Sequence, residues 1–155
     1  MARKSNNTCL NVIASNNNSG LLDNMLSTSV TFLAASTGKQ ATGTFKIADI
    51  TGTVAISIVG ICSVNLAGDT STIEVGTALS TAGLIAQTTA TDIDAGDIWH
   101  DATPDSSIEL TSVIKQYIVT QDIAYKIGTA DITGGVITFI IRWTPISPDG
   151  NVELA

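Results

Sequence analysis

The chain has 155 residues, enough for one globular domain with a real hydrophobic core and too few for two comfortable ones. Seven Lys+Arg against fourteen Asp+Glu give a net charge of −7, which excludes a general nucleic-acid binder, since phosphate neutralisation needs clustered cations, and does not suit an anionic membrane surface. Only 14% of residues are charged, against about 25% in an ordinary soluble domain, while mean hydropathy is +0.33 and no apolar run approaches the ~20 residues of a membrane helix.

Ser, Thr, Asn and Gly stand where Lys and Glu usually cover a monomer, so part of the surface is expected to be used in protein–protein contact. The first two dozen residues differ from the rest. Asn6, Asn7, Asn11, Asn16, Asn17, Asn18 and Asn24 crowd there, with Arg3 and Lys4 as the only positive charges. Residues 1–28 therefore read as a polar arm and 29–155 as the folded domain. Met1-Ala2-Arg3-Lys4 resembles the start of a signal peptide, but Ser5-Asn6-Asn7-Thr8 follows where an apolar stretch belongs. Cys9 and Cys62 have no metal or redox spacing, and two buried thiols in a reducing compartment are favoured over one disulfide. Assembly in a cytoplasm is expected.

β patterning begins near Val30, and Val, Ile and Thr make up about a third of the chain. Strands are predicted at Val30–Ala34, Thr44–Ile50, Thr53–Val64, Ser71–Thr77, Leu84–Thr88, Ile123–Ile127 and Val136–Trp143. In the third, Val54, Ile56, Ile58, Cys62 and Val64 share one face, with Gly60 interrupting. In the last, Ile137, Phe139, Ile141 and Trp143 share a face that places Trp143 in the core. Gly134-Gly135 is a hairpin signal that would pair this strand with Ile123–Ile127. Pro145 and Pro148 should end the regular structure, because proline cannot donate to a ladder.

Leu110, Val113, Ile114, Tyr117 and Ile118 follow helical spacing, and Ser106-x-x-Glu109 has the form of a capping box. A strand from Val113 to Val119 competes, because Val113, Ile114, Ile118 and Val119 are β-branched, and a short helix or turn followed by strand is favoured. Ala48-Asp49-Ile50-Thr51-Gly52-Thr53-Val54 is echoed by Ala130-Asp131-Ile132-Thr133-Gly134-Gly135-Val136 at all positions but one, either as recurring turn chemistry or as rough two-fold symmetry. The whole reads as an all-β, single-domain β-sandwich or jelly-roll-like fold with a polar N-terminal arm and at most one short helix.

Asp92, Asp94, Asp97, Asp101, Asp105 and Glu109 fall in one segment without Lys or Arg. Asp92-x-Asp94-x-x-Asp97 invites a calcium reading, but Thr103 stands where the last glutamate of an EF-hand loop belongs, and a solvated acidic loop is favoured. His100, with Asp101, Ser106 and Ser107 nearby, lacks the glycine-flanked nucleophile elbow of a hydrolase. Phosphate-cradling glycine motifs are absent from the sequence. No enzyme, metal or cofactor is expected. Trp99, a large aromatic in the acidic segment, suits either a contact or a plug at one end of the sandwich.

Three stretches carry a family resemblance: Ile73-Glu74-Val75-Gly76-Thr77-Ala78, Asp97-Ile98-Trp99-His100-Asp101-Ala102-Thr103-Pro104-Asp105, and Trp143-Thr144-Pro145-Ile146-Ser147-Pro148-Asp149-Gly150-Asn151-Val152. They resemble tailed-bacteriophage virion proteins, specifically small β-rich head decoration, or cement, proteins, over about two thirds of the chain. The resemblance implies a non-enzymatic subunit on the capsid surface, a homotrimer that clamps the major capsid protein and is assembled in the host cytoplasm. It carries over no catalytic residue and does not extend to the first fifty positions. Arg3, Lys4, Asn6 and Leu10 of the arm, with Trp99, His100 and Asp101, are the candidate contact residues. Another virion part (head fibre, neck or tail) and a carbohydrate- or calcium-binding β module are the alternatives.

Overall fold

The computed structural model describes residues 24–33 and 41–155. Its strands are β1 Asn24–Leu33, β2 Gly43–Thr51, β3 Val54–Gly68, β4 Thr72–Thr77, β5 Ser80–Thr89, β6 Asp97–Trp99, β7 Asp105–Ser106, β8 Tyr117–Val119, β9 Ile123–Gly128, β10 Ile132–Pro145 and β11 Asn151–Leu154. The first sheet runs β1-β10-β3-β6-β7, with β8 also on β3, and the second runs β11-β2-β9-β4-β5. In chain order, β1 pairs with β10, β2 with β9, β3 with β6 and β4 with β5, all antiparallel. That nesting is one long hairpin of eight strands, rolled until its legs are shared between two sheets: a jelly roll.

Period-two alternation is the force behind the two longest strands. Val54, Ile56, Ile58 and Cys62 of β3 and Ile137, Phe139 and Ile141 of β10 are buried, as the sequence pattern requires. Ile123, Tyr125 and Ile127 of β9 meet them from the second sheet. Each such side chain contributes roughly 1.5–3 kcal/mol by leaving water. Aromatic rings bridge the sheets in a row: Phe45 stacks on Tyr125 at 5.3 Å, Tyr125 on Phe139 at 5.8 Å, and Phe139 meets Trp99 at 6.4 Å. Gly60 is the partner of Trp99 across the β3–β6 ladder. A Cβ there would meet Ile137 Cγ2 at 3.1 Å and Trp99 Cε3 at 3.2 Å, so the glycine that interrupts the pattern makes room for the indole.

Several expectations are corrected. Gly134 and Gly135 do not form a hairpin turn. They lie inside β10, where the register against β3 shifts, and Gly135 takes φ +115°. β9 therefore pairs with β2 and β4, while the chain crosses to the other sheet through Thr129-Ala130-Asp131. Nor does regular structure end at Pro145: β10 stops there, and β11 returns to the edge of β2. The helical reading of 110–118 gives way to a turn at 111–113 followed by β8. Ala90–Asp92 is a single 3₁₀ turn. Trp143 is only partly buried, packed against the core from its rim. β1 starts at Asn24, so residues 24–28, read as arm, belong to the sheet.

The seven-residue echo has two local structures. Ala48 to Thr51 end β2 and Gly52 turns at φ +63°, whereas Ala130 and Asp131 are themselves the connection and Ile132 opens β10. Both copies still carry the chain from the second sheet to the first. The Gly52 turn is covered by the segment after β10. Thr53 N–H donates to Ser147 Oγ at 2.8 Å, Ser147 Oγ donates to Asp149 Oδ1 at 2.6 Å, and Ile146 N–H donates to Thr53 C=O at 2.9 Å.

Candidate functional site

The outward side of the first sheet is almost free of charge. β1, β3 and β10 together carry one charged side chain, Arg142. Their outward positions are mostly small or β-branched, with Ser27 opposite Ile140 and Ile140 opposite Val59, then Ser29 opposite Thr138 and Thr138 opposite Ile61, while Met25 and Leu33 add exposed apolar side chains from β1. A cavity of about 450 Å³ opens on this face, walled by Val59, Ile61, Ile98 and Ile140 on one side and by Glu109 and Ile114 on the other. The segment forming the second wall, between β7 and β8, leaves Ile108 85% and Leu110 67% exposed, and Ile118 of β8 adds another exposed apolar side chain. Exposed apolar and small-polar surface of this kind is what proteins use to bind proteins.

That segment is tied to the domain around His100, which follows Trp99 out of the core. Trp99 is fully buried and donates its indole N–H to Thr88 Oγ1 at 2.9 Å, so its side chain is part of the core beside Gly60. The His100 side chain is 7% exposed, and its Nε2 lies 3.3 Å from Asp105 Oδ2 and 3.5 Å from Glu109 Oε2. Its Nδ1 lies 4.0 Å from Asp101 Oδ2. The other Asp101 oxygen accepts from Thr103 N–H at 2.7 Å, and Glu109 Oε1 accepts from Leu110 N–H at 2.6 Å. A side-chain hydrogen bond to Glu109 holds the Asp105 carboxyl above its ordinary range. The Leu110 N–H first, then the Asp105 bond, hold Glu109 below its own.

The ring nitrogen that would act as a hydrolase base thus faces two carboxylates, not Ser106 or Ser107. Asp92, Asp94 and Asp97 are not gathered as ligands either. Asp97 Oδ2 caps Asp94 N–H at 2.9 Å, and among the described residues only His100, Asp105 and Glu109 converge as ligand atoms within 4.8 Å. Sequence reasoning noted Asp105 as one acid of a run and Glu109 as a helix cap, and missed their convergence on His100. The spacing His100-x₄-Asp105-x₃-Glu109 was the available signal. Arg3, Lys4, Asn6, Leu10 and Cys9 lie outside the described residues, and Cys62 is a buried free thiol.

The second sheet presents a different exterior. Lys46 Nζ contacts Asp49 at 2.6 Å and Asp122 at 2.9 Å, and Lys126 reaches the buried Glu74 carboxylate at 3.3 Å. Gln87 Nε2 donates to the other Glu74 oxygen at 3.1 Å.

The fold class is thus an all-β jelly-roll sandwich with one low-charge face. Comparison with protein-family models, with curated proteins and with solved structures finds no match to this chain. No helix of the described residues is long and apolar enough to cross a membrane.

Proposed function

We propose that the chain is a non-enzymatic virion structural protein, a decoration or cement subunit that binds the major capsid protein of a tailed-phage head and self-associates as a homotrimer. The observation that carries this reading is the first sheet's outward face, which is low in charge, together with the exposed Ile108, Leu110 and Ile118 in the segment from β7 to β8. Residues 1–23, with Arg3, Lys4, Asn6 and Leu10, would engage the capsid while the jelly-roll body holds the oligomer together. Three arms acting at once multiply weak single contacts. The resemblance in the stretches 73–78, 97–105 and 143–152 points the same way. Their roles in the fold are core strand, Trp99 plug with the His100 cluster, and turn lock.

Four of the seven aromatic side chains are buried in the core, and Phe45, Tyr117 and Trp143 are partly buried against it, so none of the seven is a fully exposed ring. The deciding experiment mixes purified protein with undecorated heads and measures co-sedimentation and copies per particle. Saturation at many copies supports the decoration role, whereas a few copies at one vertex would move the assignment to a neck or fibre part. Deleting residues 1–23 should leave a folded oligomer that no longer sediments with heads, and undiminished attachment would sink the arm's role.

A further inference from the structure

We propose that His100, Asp105 and Glu109 form a binding site for one divalent cation of borderline softness, with zinc as its representative. The donor set is one imidazole nitrogen and two carboxylate oxygens. All-oxygen cages suit calcium and magnesium, and thiolates suit copper(I) or iron–sulfur centres, whereas a mixed nitrogen and oxygen set suits zinc and its neighbours.

The distances agree with that chemistry. Tetrahedral zinc with bonds of about 2.0–2.2 Å holds its ligand atoms roughly 3.3–3.6 Å apart. Nε2 of His100 lies 3.3 Å from Asp105 Oδ2 and 3.5 Å from Glu109 Oε2. Both separations match the spacing of ligands around an ion, and the Nε2–Glu109 Oε2 pair is at the same time a long hydrogen bond.

The surroundings point the same way. His100 is nine-tenths buried and aimed between the two acids, while its other nitrogen faces the Asp101 carboxylate at 4.0 Å. An outer carboxylate on the second ring nitrogen fixes the tautomer and orientation of metal-bound histidines. No Lys or Arg forms an ion pair with any of the three acids among the described residues, so His100 is the one basic partner in the cluster and a dication would meet an acidic surrounding. Asp105, 41% exposed, gives an ion a way in, and Glu109 also walls the 450 Å³ cavity, which gives the remaining coordination position room for water. A bound ion would join the end of β6 to the segment carrying Ile108 and Leu110, fixing the rim of the low-charge face. The site stands or falls on the isolated chain, independently of any role on a capsid.

The test uses the full-length protein, stripped with a chelator and titrated with zinc chloride by calorimetry and native mass spectrometry. One zinc per chain and a higher melting temperature are expected. His100→Gln and Glu109→Gln should each abolish saturable binding, Asp101→Asn should weaken it about tenfold as an outer-shell change, and Asp94→Asn should leave it unaltered. Far-UV circular dichroism of each variant confirms folding. Should a buried variant not fold, cobalt(II) absorption of the wild-type protein decides: tetrahedral bands without a thiolate charge-transfer band support the site, and a thiolate band overturns it. No saturable uptake by wild-type protein, or uptake unchanged in His100→Gln and Glu109→Gln, overturns the proposal, and His100 is then only a counter-ion within the loop.

Discussion

The two sheets face each other with the same kind of surface and face outward with different ones. Inward, Ile, Val and aromatic side chains interlock across both. Outward, the β2-β9-β4 side carries Lys46, Asp49, Lys126 and Glu74 in ion pairs, while the β1-β10-β3 side carries mainly Ser, Thr, Val and Ile, with Met25 and Leu33 exposed and the single charge of Arg142. A charged exterior keeps a domain apart from its copies, and an uncharged one removes that barrier without exposing the core. One domain thus has a solvent side and a side suited to contact, although both arise from strands of similar pattern.

The interior that the two sheets share gives the largest expected effect. Trp99→Ala would remove the indole that fills the space over Gly60 and leave Thr88 without its donor, costing about 3–5 kcal/mol in urea denaturation. A loss under about 1 kcal/mol would show that the aromatic row is not a common support. Gly60→Ala approaches the same contact from the other side. Its Cβ would press on Ile137 and Trp99, and a loss of about 1–3 kcal/mol is expected.

On the second sheet, Lys126→Met leaves the buried Glu74 carboxylate with Gln87 alone, a cost of about 1–3 kcal/mol readable in the thermal midpoint. On the first sheet, Ser27→Glu with Thr31→Glu adds charge at exposed positions. Stability should move by less than about 0.5 kcal/mol per site, while native mass should report a loss of self-association. Thr44→Glu, exposed on the second sheet, should leave the oligomer intact. If both changes act alike, the two faces do not differ in use.

The smallest effect is a pH dependence. The Ile50 N–H first, and the Lys46 ammonium second, hold Asp122 below the usual carboxylate range. Its folded value lies below its unfolded one, so its contribution is complete above the unfolded pKa of about 3.9 and fades as pH falls through the folded value. The stability gap between wild type and Asp122→Ala should therefore stay constant from about pH 7 to about pH 5 and shrink as pH falls below about 4. A gap that does not shrink there would mean that Asp122 acts through packing and not through charge.

Where one face of a strand is buried, period-two alternation leaves little choice. β3, β9 and β10 were legible for that reason, and so were β2, β4 and β5 within a few residues. What failed were decisions between distant partners. Gly134-Gly135 has the chemistry of a turn and of a bulge alike, and only the β3 register makes it a bulge. β11 follows two prolines and gains its ladder only because the edge of β2 is free to receive it. Trp99 reads as a loop aromatic until Gly60, distant in sequence but adjacent in the ladder, opens a space beneath it.

The sequence by itself determined an all-β domain, its strongest strands and its scarcity of charge, because alternation and composition are local properties that each residue reports without reference to distant ones. The tertiary structure decided which strands are neighbours, which outward face is left without charge, and that His100, Asp105 and Glu109 meet at one point. Those depend on side-chain directions summed over a long connection, where a small change in the turn redirects everything after it.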